Sequence, residues 1–189
     1  MNTQLIEITR QENKLVFDKP GKYVVFFSNS SGTISCRIKS EHVELYLVGL
    51  YDMKNDDAYK LYTEQIHEAS HSFSDLFILS VADDNSSLFF SGLIRIEKNA
   101  QQSHAYQKNQ NLILSKNTFI DTRPTLEILA DDVFCTHGST SGPIAKEQLQ
   151  YLRMRGLNKN EAMKVSIEGF KKQVYDKLQN LGIKNYAER

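Results

Sequence analysis

The sequence predicts a mainly β protein closed by C-terminal helices. Two observations carry that expectation. Short apolar and β-branched runs, separated by Asn, Asp, Ser and Gly turns, occupy the chain up to about Pro143. After Pro143 the apolar period changes to that of an amphipathic helix.

The strand runs are taken in order. Tyr23–Phe27 follows the turn signal Lys19-Pro20-Gly21. Thr33–Ile38 alternates and is set off by Asn29-Ser30-Ser31-Gly32. Further runs lie at His42–Leu50, Phe73–Val81, Leu88–Ile96, Leu112–Leu114, Leu126–Ala130 and Val133–Cys135, with Asp52–Ala58 read as a loop. Sandwich, barrel and solenoid all fit such a pattern. Asn99, Asn109, Asn111 and Asn117, read as turn residues, suit a solenoid, where stacked amides bond from coil to coil.

Two helices follow. Lys146–Arg155 carries Leu149 and Leu152 three apart, and Gly156 is placed as its C-terminal stop. Asn158 stands three before Glu161, the spacing of a capping box. Ile167, Phe170, Val174, Leu178 and Leu181 then form one apolar face, ended by Gly182. That face either caps the β body or docks a partner. The expected units are residues 1–143, with 1–60 the less diagnostic part, and 144–189.

Composition narrows the function classes. The 189 residues include 23 Lys plus Arg and 23 Asp plus Glu, a formal net charge of zero. No basic excess points to nucleic acid or to an anionic membrane. No apolar run approaches the roughly 20 residues that span a bilayer. Cys36 and Cys135 do not make a disulfide framework, so a reducing compartment is expected, the cytoplasm or an organelle interior. No GxxxxGK[ST] loop is present, so any ATP hydrolysis belongs to a partner.

Two short motifs bear metal-ligand chemistry. His67-Glu68-Ala69-Ser70-His71 matches the H-E-x-x-H of zinc metallopeptidases, which needs both histidines on one helical face and a third ligand. The strand-like surroundings and missing third ligand argue against it; a polar strand-to-turn segment is the plain alternative. In Cys135-Thr136-His137, thiolate and imidazole stand two apart, on one side of an extended strand. Alone, such a pair is usually a buried Cys beside an ordinary surface His.

A longer pattern adds to this. Ala105–Ser115 (AYQKNQNLILS), Ile120–Pro124 (IDTRP), Leu126–Val133 (LEILADDV), Cys135–Thr140 (CTHGST) and Gln148–Gly156 (QLQYLRMRG), in this order, resemble the core signature of the SufB/SufD family of the SUF iron–sulfur cluster assembly system. Within it the chain resembles SufD, with Cys135 before His137 and Gly138 after it. The resemblance implies a right-handed parallel β-helix with a two-helix tail, and a scaffold rather than an enzyme. It implies pairing with a SufB-like subunit or a second copy of the chain, and docking of a SufC-like ATPase on the tail, with Ile167, Phe170, Val174 and Leu178 as contact residues. It implies a transient iron–sulfur cluster at the subunit interface, with His137 as a ligand, Cys135 beside it and a partner's cysteine completing the set. A structural adaptor that holds no cluster is the alternative. The chain departs from the family in its short length and in Ala145, where an aspartate usually caps the first tail helix.

Overall fold

A computed structural model describes residues 3–183 and Tyr186. The ends of both expected units, residues 1–2, 184–185 and 187–189, lie outside the described residues.

Eleven strands precede two helices: β1 Thr3–Glu7, β2 Glu12–Phe17, β3 Gly21–Ser28, β4 Gly32–Ile38, β5 Val43–Met53, β6 Ala58–His67, β7 Phe73–Ala82, β8 Ser87–Ile96, β9 His104–Ile113, β10 Phe119–Ile128, β11 Phe134–Gly142, α1 Lys146–Met154 and α2 Lys159–Asn180. The odd-numbered strands form one parallel sheet, in the order β1-β3-β5-β7-β9-β11. The even-numbered strands form the other, β10-β8-β6-β4-β2. Chain and sheet order coincide, so the molecule is a parallel β-solenoid with two strands per coil. The open choice among sandwich, barrel and solenoid is thereby decided. The coil lengthens along the axis, from the Thr3–Lys22 pairing at one end to Phe73–His104 near the other.

Side chains alternate between interior and outside, as strand geometry requires. The first coils fill their interior with hydrocarbon: Tyr23, Val25 and Phe27 on β3, Ile34, Cys36 and Ile38 on β4, Leu45, Leu47, Tyr51 and Met53 on β5. Gly49 is small because the Phe27 ring occupies its side-chain space; an added Cβ would sit 2.3 Å from that ring. The corners turn through left-handed residues, Asn29, His42, Asn55, His71, Asp84 and Gln102. Corners bond to corners, as where the His42 amide donates to the His71 carbonyl and the His71 amide to that of Gln101. Gly32, at φ +125°, packs so tightly on the Gln11 carbonyl that no Cβ fits.

Two sequence expectations change here. Asn109 and Asn111 lie within β9, buried and facing the interior, not in turns. Asn117 does stack between coils, its side-chain amide donating to Asn85 Oδ1. Strands β1, β2 and β6 were not expected, and β9, β10 and β11 each extend well beyond the short runs first read.

The helical expectations hold. The Asn158 side chain accepts from the Asn160 and Glu161 amides while Glu161 returns a bond to the Asn158 amide. Gly156 and Gly182 sit at positive φ just past their helices. Ala145 provides no side-chain cap for α1. The apolar stripe of α2 does not face outward, however. Val174, Leu178 and Leu181 are buried against the outer face of the odd sheet, on Val24, Phe26, Val48, Leu50, Phe77 and Leu79, with Phe170 packed beside them. Lys171 pairs with Asp52 and Lys177 with Asp75 at 2.6 Å, pinning the helix across the strands. The stripe thus caps the β body through Val174, Leu178 and Leu181.

Candidate functional site

The chemistry-bearing residues gather on the last coil. Among the described residues β10 pairs only with β8 and β11 only with β9, so each ends its sheet with an unpaired edge. Cys135, His137, Ser139 and Ser141 stand in register over Ala105, Gln107, Asn109 and Asn111. The expected alternation therefore runs through the whole of β11 and puts Cys135 and His137 on the interior side of the coil.

Their surroundings differ. Cys135 is half-buried and packs with Ile94, Ile96, Ala100, Ala105 and Ala130, with Val133 in the same cluster. That burial pushes its thiol up to about 11, so it is protonated at neutral pH. His137 is exposed. Beside it the interior is polar. Ser80 donates to Asn111 Oδ1 at 2.6 Å, Asn111 Nδ2 to Asn109 Oδ1 at 2.6 Å, and Thr122 and Ser139 share a bond of 2.8 Å between the two sheets. The column through His137 reads Val25, Leu47, Leu76, Gln107, His137, turning from aliphatic to amide directly beneath the imidazole.

The rim of this open end is apolar. Phe119, Ile128, Leu129 and Phe134 expose 63, 42, 52 and 52% of their surface, four of the large hydrophobics left open to solvent. Among the described residues no three His, Cys, Asp or Glu side chains converge. Cys135 and His137 thus offer at most two ligands, and a metal centre here needs others from a second chain.

His67 and His71 are not brought together as zinc ligands. His67 ends β6, fully buried, with Nδ1 bonded to Ser72 Oγ at 2.7 Å and Nε2 to Ser74 Oγ at 2.8 Å. Burial lowers it to about 4, so it is neutral. Glu68 pairs with Arg37, and His71 lies in the following corner against His42. With strand and turn in place of a helix, and both ring nitrogens engaged, the metallopeptidase alternative falls. Sequence reasoning missed the inward amides of β9, although Ala105, Gln107, Asn109 and Asn111 alternate with the period of a strand; the signal was written in amides rather than hydrocarbons.

A family model described as SUF system FeS cluster assembly, SufBD core domain, matches residues 27–170, which takes in the last coil and both helices' start. The chain belongs to the SufBD family. Among curated SufBD relatives, it is 38% identical over 105 residues to the iron–sulfur cluster assembly protein SufD of Escherichia coli, a stretch that is 56% of this chain and 25% of that protein. It is 34% identical over 122 residues to SufD of Bacillus subtilis, covering 65% of this chain and 28% of the relative. A SufBD family protein of Synechocystis is 37% identical over 98 residues, 52% of this chain and 22% of that protein. The chain thus aligns with about a quarter of the length of these relatives, and its likeness is SufD-like.

Proposed function

We propose that this SufBD chain is a scaffold subunit for iron–sulfur cluster assembly, pairing through its open end with a SufB-like subunit. The observation that carries the reading is the last coil. Two unpaired strand edges, an apolar rim of Phe119, Ile128, Leu129 and Phe134, and Cys135 with His137 between them make a surface suited to another β edge. The cluster is cargo. His137, exposed and seated over the Gln107 amide, supplies an imidazole; a cysteine of the partner supplies thiolate. Mixed ligation of this kind is ordinary for iron, and the neutral imidazole favours release. Cys135 is the lesser contributor, because its thiol is held protonated in a half-buried apolar pocket.

The SufC-like ATPase docks on the helical tail. Val174 and Leu178 are spent on the chain's own sheet, so the docking surface is the exposed set Tyr151, Met154 and Val165, at 53, 79 and 44% exposure, joined by the half-buried Ile167. The machinery operates in the cytoplasm. Among the described residues no helix is long and apolar enough to cross a membrane.

The test is co-expression with SufB-like and SufC-like subunits, followed by purification and iron and sulfide analysis. His137→Ala retains the complex and loses the cluster; Cys135→Ser loses less. Full cluster loading in His137→Ala leaves the structural adaptor as the function.

A further inference from the structure

Gln107 lies one rung inside His137, on the same face of adjacent parallel strands. Side chains so placed stack at the strand spacing of about 4.8 Å. Gln107 is 3% exposed. Its amide crosses the interior to the opposite sheet, where Nε2 donates to the Gly92 carbonyl at 3.4 Å. Gly92 makes that crossing possible: a Cβ there would lie 2.5 Å from Gln107 Oε1 and 2.6 Å from Nε2. The amide is therefore clamped, yet its Oε1 is buried and has no hydrogen-bond partner within the chain. A buried carbonyl oxygen left without a donor is costly, and such groups nearly always find one. On the interior side of the same column stands Leu76, which offers none. On the other side stands the His137 imidazole, which carries an N–H. Other buried donors without a partner include Asn109 Nδ2, two residues along β9, and on β6 Gln65 Nε2 and Thr63 Oγ1, the last in register with Gly92; the Asn109 amide is already held through Oδ1 by Asn111 Nδ2 at 2.6 Å.

We infer that Gln107 is the positioning residue for His137: when the exposed imidazole turns inward, Oε1 accepts one ring N–H, and the lone pair of the other ring nitrogen points out of the open end. Histidines that bind metals commonly have their second nitrogen fixed in this way by a carbonyl or carboxylate, which sets both tautomer and ring orientation. Gly92 serves as the cradle for the amide. The positioning itself is a property of the isolated chain; its value to a cluster rests on the scaffold reading given above.

The experiment reads the neutral His137 tautomer ratio from imidazole nitrogen NMR shifts in the isolated chain, assigned by loss of its signals in His137→Ala. Gln107→Met, close in size but without the acceptor, shifts the ratio about fivefold, the weight of one neutral hydrogen bond. Gln107→Glu, which keeps an acceptor, restores the wild-type preference. Gly92→Ala, which displaces the amide with Gln107 itself intact, moves the ratio the same way as Gln107→Met and covers the case in which that variant does not fold. Asn109→Ala leaves the ratio unchanged. An unchanged ratio in Gln107→Met or Gly92→Ala overturns the inference, as does a shift found only in Asn109→Ala. Iron and sulfide loading of the complex separates the two readings. A tautomer shift with full loading keeps the positioning and removes His137 from the cluster; an unshifted ratio removes the positioning whatever the loading.

Discussion

Leu178→Ala tests whether the α2 stripe belongs to the chain or to a partner. Leu178 is fully buried, in a cluster with Phe77, Leu79 and Val174. The substitution removes three carbons from that cluster, about 2.4 kcal/mol of transfer free energy at roughly 0.8 kcal/mol per methylene. The cavity left behind raises the cost to about 3–4 kcal/mol. For a chain of this size that is a fall in melting temperature of roughly 6–15 °C. Thermal and urea unfolding of the isolated chain, followed by circular dichroism, give the number. Tyr151→Ala, at an exposed position of α1, shifts stability by no more than about 0.5 kcal/mol and weakens binding of the ATPase subunit instead. If Leu178→Ala leaves the melting temperature within about 2 °C and abolishes ATPase binding, α2 does not rest on the sheet in solution and the stripe is a docking face after all.

The buried His67 makes stability pH-dependent. Its folded value, about 4, lies below the ordinary histidine value of 6.5, so the unfolded chain binds the proton first. This stabilisation is complete above pH 6.5 and is lost as the pH falls toward 4, by about 3 kcal/mol; His67→Gln flattens that part of the pH–stability curve, and an unchanged slope refutes the assignment. Gly32→Ala, with a Cβ 1.8 Å from the Gln11 carbonyl oxygen, prevents the first coils from closing and gives insoluble or strongly destabilised protein. Gly156→Ala meets nothing and costs only the strain of its positive φ, about 1 kcal/mol by urea titration. Ala145→Asp supplies the missing N-terminal cap of α1 and adds about 1 kcal/mol; no gain means that α1 does not unfold with the rest. Iodoacetamide at pH 8 modifies Cys135 slowly and Cys36 not at all in the native chain, since burial raises both thiols and Cys36 has no exposed surface; equal labelling of the two defeats the solenoid core.

What could be read from the sequence followed the chemistry of the interior. Strands β3, β4, β5, β7 and β8 face inward with Val, Ile, Leu and Phe; β4 alternates visibly against polar outer positions, while β3, β5 and β7 read as continuous apolar runs because their outer residues under α2 are apolar too. β6 presents Leu61, Thr63, Gln65 and His67 inward, and β9 presents Ala105, Gln107, Asn109 and Asn111, so their period of two is hidden from any scale that counts hydrocarbon. Residues such as Asn109 then look like turn formers. The helix caps were legible because they are local, Asn158 with Glu161 above all. The destination of the α2 stripe was not. An amphipathic face records that something covers it, and the outward-facing Val24, Val48 and Leu79 that cover it lie more than 90 residues away in the chain. Cys135 and His137 were placed on one face by strand alternation alone, whereas the Gln107 amide beneath His137 required the register.

Helix α2 has a mechanical consequence. In a solenoid each coil touches only its neighbours, so coils can melt one by one from either end. α2 lies across this stack like a splint: its residues reach strands β3, β5 and β7, Lys171 holds Asp52, Lys177 holds Asp75, and Thr3 of β1 donates to the Leu181 carbonyl at 2.9 Å. Residues from the two ends of the chain thus share one fate, and coils that would fray independently are joined into a single cooperative block. The β10–β11 coil lies beyond that splint. Native-state amide exchange therefore divides the molecule unevenly, with a common slow rate through the braced coils and a faster one at the last coil, where pliability eases the fit of an incoming strand.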